Sequence, residues 1–149
     1  WIHDKKIGGG RYIGEACHFI DLLRYLSSSS IINLYLITNN KISNNKDVFI
    51  INIEFEDGSI GSINYFANGN SAYPKEKIDV FCGGSIYSIT NFKELSIWEK
   101  SGHKRIKLFN QDKGQLNCVK AFINAIENGG DSPIPFSEII EVHEKMLNY

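Results

Sequence analysis

The sequence predicts an α+β fold, an open, mainly antiparallel mixed sheet with helices packed on one face. Three observations carry that reading. One helical segment opens the chain, segments with two-residue alternation fill its middle, and two helical segments close it. That order differs from the alternating β-α-β-α of a doubly wound parallel sheet. The strand segments are joined by short glycine-containing turns, and hairpin-length turns pair neighbours antiparallel.

The first helix is read from Gly10 to Leu26. Ile13, Ala16, Cys17, Ile20, Leu23 and Leu26 recur at three- and four-residue spacing, the mark of a helix buried along one face, and the serines 27–30 end it. Ile31–Thr38 is rich in β-branched and aromatic residues and reads as a strand, followed by a polar loop from Asn39 to Lys46. In Val48–Glu56, Phe49, Ile51, Ile53 and Phe55 alternate with polar residues. Asp57-Gly58 then turns the chain into a partner strand, Ile60–Ala67. A second hairpin joins Glu76–Cys82 to Ile86–Thr90 around Gly83-Gly84, and a third joins Glu94–Glu99 to Lys104–Phe109 around Ser101-Gly102. The second helix spans Lys113 to Asn128, with Leu116, Val119, Ile123 and Ile126 on one stripe and Gly129-Gly130 ending it. After Pro133-Ile134-Pro135, the third spans Phe136 to Leu147. Its predicted apolar face is Phe136, Ile139, Ile140, His143 and Leu147, which makes His143 a buried structural histidine.

At 149 residues the chain fits one domain, 1–149, and a domain of this size buries roughly 70% of its unfolded surface without staples. Its opening residue is Trp1 and its only methionine is Met146, as expected of a piece of a longer protein. The formal net charge is −1 and no run of five like charges occurs, which argues against nucleic acid or an anionic membrane as partner. No apolar stretch approaches the ~20 residues of a membrane span. Cys17, Cys82 and Cys118 are few, odd in number and widely spaced, a pattern of reduced thiols that points to the cytoplasm.

The most specific segment is Gly8-Gly9-Gly10-Arg11-Tyr12-Ile13-Gly14-Glu15-Ala16-Cys17-His18-Phe19-Ile20-Asp21. A dinucleotide fingerprint needs a buried strand before its glycines and an acidic residue about 20 residues after them. Trp1–Lys6 is no such strand, and the acidic position falls around the serine run. The chain therefore holds no cofactor-binding motif of its own.

Gly8-Gly9-Gly10-x-x-x-Gly14-x-x-x-His18-x-x-Asp21-Leu22-Leu23 resembles the G-G-G-x-x-x-D-x-G-x-H-x-x-D segment of the glucose-fructose oxidoreductase, inositol dehydrogenase and MocA family (Gfo/Idh/MocA). Phe55-Glu56-Asp57-Gly58-Ser59-Ile60-Gly61 is similar to that family's F-x-D-G-x-x-G hairpin, and Glu76–Gly84 to its next strand and glycine turn. Gly129–Glu138 is similar to the stretch that joins its two final helices. The wording of the glycine segment also resembles a subgroup tied to bacterial surface-sugar synthesis.

The resemblance implies the C-terminal substrate-binding and oligomerisation domain of an NAD(P)-dependent oxidoreductase acting on a sugar, sugar-nucleotide or polyol hydroxyl. NAD or NADP would be bound mainly by an N-terminal Rossmann domain absent from this chain, and homo-oligomers would form through the open sheet face. It gives His18 the role of the active-site histidine, which exchanges a proton with the hydroxyl being oxidised. An imidazole suits that task near neutral pH. Gly10, Arg11, Gly14, Glu15, Asp21 and Lys75 are the candidate substrate-binding residues. Arg11 offers a bidentate fork for an anionic group such as phosphate or carboxylate, and Lys75 follows the Asn68-Gly69-Asn70 loop. The departure is Gly14, where most of the family has an aspartate one turn before the histidine. Glu15 lies next to it, turned by about 100°.

No metal site is expected. Glu15, His18 and Asp21 at i, i+3 and i+6 drift around the helix, and no second histidine lies within helical reach. Cys17 as a nucleophile beside His18 fails on direction, since helix neighbours point about 100° apart. The rival from another class is a non-catalytic dimerisation or scaffold domain that keeps the family sheet while Gly14 marks lost chemistry.

Overall fold

The structure is a computed structural model that describes residues 10–38 and 47–148. Gly8, Gly9, His3 and the loop expected at 39–46 lie outside the described residues. Two compact units share the chain. One takes it as far as Asn68 and again from Ser132, and the other is Gly69–Asp131.

The first unit holds α1 (Arg11–Ser27), β1 (Ile31–Thr38), β2 (Val48–Phe55), β3 (Ile60–Phe66) and a closing helix, Phe136–Leu147. Its strands form an antiparallel ladder in the order β1-β2-β3, in which Ile51 faces Leu36 on one side and Ile63 on the other. Alternation decides what is inside. Phe49, Ile51, Ile53 and Phe55 are buried, whereas Asn52 and Glu54 between them are exposed. Removing each such side chain from water is worth roughly 1.5–3 kcal/mol, and a one-residue slip would put all four on the wrong face. α1 and the closing helix cover that face and meet each other there, with Tyr12, Ala16 and Ile20 from α1 and Val142 and Met146 from its partner in the core.

The F-x-D-G-x-x-G stretch shows two separate uses of glycine. Gly58 takes φ +85° in the β2–β3 turn, a conformation that side chains disfavour. Gly61 serves a close approach, since a Cβ there would lie 2.7 Å from Leu23 Cδ1 on α1.

The second unit holds β4 (Lys77–Cys82), β5 (Ser85–Thr90), β6 (Glu94–Glu99), β7 (Gly102–Lys107) and α2 (Gln115–Glu127); the closing helix of the first unit is therefore α3. Its strands pair in sequence order, all antiparallel. Gly83 and Gly84 make the β4–β5 turn with φ +56° and +79°, the pair of left-handed residues that matches the twist of a two-residue hairpin. The third hairpin turns one residue earlier than expected, at Lys100-Ser101, and Gly102 pairs with Glu99.

The α+β class and its antiparallel strands are as the sequence predicts. Two helices differ in what they bury. On α3, His143 is exposed, with Nδ1 2.7 Å from the Ile139 carbonyl, and the inward stripe is Val142 and Met146. The helix is rotated by about one residue from the expected face because its polar side chains are tied down. Glu138 and Glu141 meet Arg24, and Lys145 donates to the Ile32 carbonyl at 2.6 Å. On α2, Leu116, Val119, Phe122, Ile123 and Ile126 do form a stripe, and all five are exposed.

Candidate active site

α1 starts at a glycine and presents two faces of different chemistry. Gly10, buried, precedes the helix with φ +84°, and its carbonyl accepts the Gly14 amide at 3.0 Å. At about 100° per residue, Tyr12, Ala16, Ile20 and Leu23 fall together toward the sheet, and Gly14, His18, Asp21 and Tyr25 fall on the opposite side. Burial follows that division: Ala16 and Ile20 are fully buried, while His18 and Tyr25 are exposed. His18 is thus held on a helix whose inward face is locked, and its imidazole is open to an incoming group. Gly14, one turn earlier, has no side chain and is half-buried, as is Asp21 one turn later.

Between these faces, on the flank toward β3, lies a polar cluster. The Tyr65 hydroxyl donates to Glu15 Oε2 at 2.6 Å and accepts from Arg11 at 3.2 Å. Arg11 also lies 3.8 Å from Glu15 Oε1 and 3.6 Å from Asp47 Oδ1, just ahead of β2. The Tyr65 ring stacks on Phe49 with centroids 4.7 Å apart and planes 4° from parallel, and Phe19 packs at 6.1 Å. Burial, then the Glu15 carboxylate, hold the Tyr65 phenol above its ordinary pKa. The hydrogen bond to Tyr65 raises the Arg11 guanidinium, which stays charged. Arg11, the expected anion fork, already faces two carboxylates and a phenol within the unit.

Sequence reading placed Arg11, Glu15 and His18 on one helix and missed Tyr65. The signal was available, since Gly61, Ile63 and Tyr65 alternate along β3 on the side that meets α1. Lys75 belongs to the second unit, exposed in the segment before β4. Cys17 lies beside the core, and burial pushes its thiol up, away from a reactive thiolate. Among the described residues, no group of three or more histidine, cysteine, aspartate or glutamate side chains is arranged to hold a metal ion. No described helix is long and apolar enough to cross a membrane.

Antiparallel sheets with three helices, and a histidine exposed on the first of them, define the class among the described residues: an α+β domain. The chain belongs to the Gfo/Idh/MocA oxidoreductase family: the family's C-terminal alpha/beta domain matches residues 1–125. No curated protein matches it.

Solved structures share the fold. UDP-N-acetylglucosamine 3-dehydrogenase GnnA from Acidithiobacillus ferrooxidans superposes with a TM-score of 0.76 at 12% identity, covering 99% of this chain and 48% of that one. The dehydrogenase MviM from Clostridium difficile gives 0.71 at 19% identity, covering 93% of this chain and 46% of that one. An oxidoreductase from Agrobacterium radiobacter, solved with NAD+, L-tartaric acid and magnesium, gives 0.73 at 13% identity, covering 91% and 44%. The chain spans about half the length of the solved structures it matches.

Proposed function

We propose that this chain is the substrate-facing half of a cytoplasmic NAD(P)-dependent oxidoreductase that acts on a hydroxyl of a sugar, sugar nucleotide or polyol. The observation that carries the reading is the exposure of His18 on the outward face of α1, in a chain of an oxidoreductase family. The described residues do not fit a dinucleotide: every ladder is antiparallel, so no parallel β-α-β crevice is present to take a pyrophosphate. The nicotinamide, which supplies hydride chemistry, belongs in this reading to a nucleotide-binding domain elsewhere in the protein.

The chain's own part is the proton. Neutral His18 accepts it from the substrate hydroxyl at a ring nitrogen, and the imidazolium returns it in the reverse direction. Gly10, Gly14 and Asp21 lie on the same helix as that ring or at its start and border the approach to it. The open face of β1–β3 is the surface through which two copies associate.

The test uses the full-length protein with NAD+ or NADP+ and three probes: UDP-N-acetylglucosamine, glucose and myo-inositol. His18→Ala lowers turnover by roughly 10²–10⁴, with little change in thermal stability because the side chain is exposed. Unchanged turnover in His18→Ala removes His18 from the chemistry. Wild-type protein inert toward all three probes overturns the substrate class.

A further inference from the structure

One face of the four-stranded sheet in the second unit is laid out in bands. Direct cross-strand partners share a face, and so do residues two apart along a strand. Phe81, Ile86, Trp98 and His103 therefore form one row across β4, β5, β6 and β7, and Asp79, Ser88, Ser96 and Arg105 form the next.

The first row holds apolar surface in the open, with Phe81 74% exposed and Trp98 41%. The Trp98 and His103 rings stack with centroids 4.7 Å apart and planes 14° from parallel. That separation equals the spacing of neighbouring strands, so the two rings stand upright from the sheet and His103 braces one face of the indole. The other indole face is turned toward β5, with Ile86 below it and Phe81 two strands, about 9.5 Å, away.

The second row is polar, and its charges are already matched. Asp79 accepts from Ser88 at 2.6 Å and lies 2.9 Å from Lys77 Nζ, and Arg105 meets both oxygens of Glu94. An ionic ligand would have to break one of these pairs. Ser96, between Ser88 and Arg105, makes no side-chain hydrogen bond among the described residues. A pyranose ring matches both rows. Its C–H groups suit the electron-rich face of an indole, and its hydroxyls, each donor and acceptor, suit a serine one row, about 6.8 Å, along the strands.

We infer that this face is a carbohydrate-binding site: a neutral pyranose ring stands against the open side of Trp98 above Ile86, with one of its hydroxyls bonded to Ser96. Nothing in this recognition requires His18.

The test uses the full-length protein labelled with 5-fluorotryptophan, in which the Trp98 resonance is the one missing from Trp98→Phe. Methyl β-D-glucopyranoside shifts that resonance saturably in the millimolar range, and glycerol at equal concentration does not. Ser96→Ala keeps the stacked rings and raises the half-saturating concentration roughly 3–10-fold, the scale of one neutral hydrogen bond. A shift that only grows linearly with the glycoside overturns the site. A saturable shift with uridine and none with the glycoside overturns the sugar, and so does unchanged half-saturation in Ser96→Ala. A Trp98 resonance that moves on dilution of the protein alone makes the face a contact between copies and also refutes the site. Turnover is unchanged in Ser96→Ala, so failure here and failure of the chemistry at His18 are read separately.

Discussion

Arg24 and Glu141 join α1 to α3 by a hydrogen bond of 3.1 Å from Nε to Oε2, and the other oxygen of Glu141 accepts the backbone amide of Ile31 at the start of β1. One carboxylate thus serves three elements, and the Arg24 side chain is only 11% exposed. Glu141→Ala leaves a largely buried guanidinium and a strand-end amide without this acceptor. The loss is about 1.5–3 kcal/mol, read as a lower midpoint in urea at unchanged slope. A midpoint equal to wild type shows that the junction contributes nothing net.

Tyr65 gives the fold an alkaline limit. Its pKa is raised above 10.0 by burial first and by Glu15 second. A raised pKa means that the folded state holds the proton more tightly, so the contribution is fully present below the unfolded value and is lost as pH rises through the folded one. Denaturation midpoints between pH 9 and about pH 11.5 fall more steeply in wild type than in Tyr65→Phe. Parallel curves contradict the assignment.

The isolated 149-residue chain is expected to bind neither NAD nor NADP. Among the described residues every ladder is antiparallel, so no parallel crevice aims helix-end amides at a pyrophosphate. Titration calorimetry at high micromolar nucleotide checks this, and saturable heat overturns it.

The outer face of the first sheet predicts association. Ile37 is 59% exposed and Phe66 53%, at one end of a face that also carries Val48 and Ile50. Apolar side chains gathered on one flat face favour a second copy over water. Light scattering reports a dimer, and Ile37→Lys with Phe66→Lys shifts it to monomer. A wild-type monomer across a hundredfold concentration range refutes it.

Much of the fold was legible because its decisive residues are local. Asp57-Gly58 and Gly83-Gly84 mark their hairpins within two positions, and the four alternating residues from Phe49 to Phe55 allow one inward face. α3 was harder, since its apolar residues spread over an arc of about 160°, wide enough for more than one inward line. The choice between His143 and Val142 as the inward position was made by Arg24, more than a hundred residues earlier in the chain. The same holds for the site. The outward phase of His18 follows from helix periodicity, whereas the meeting of Glu15 with Tyr65 depends on how α1 is laid across β3, which no short window records.

The contact between Leu23 and Gly61 works as a key in a slot. A side chain at 61 would push against Leu23, so the depth and axial phase of α1 over β3 are set by a leucine tip resting where a Cβ is missing. His18 lies five residues back along the same rigid rod, about 7.5 Å in axial rise. A methyl group added at 61 meets the leucine tip first, and whatever Leu23 does not absorb by turning aside is passed along the helix toward the exposed imidazole.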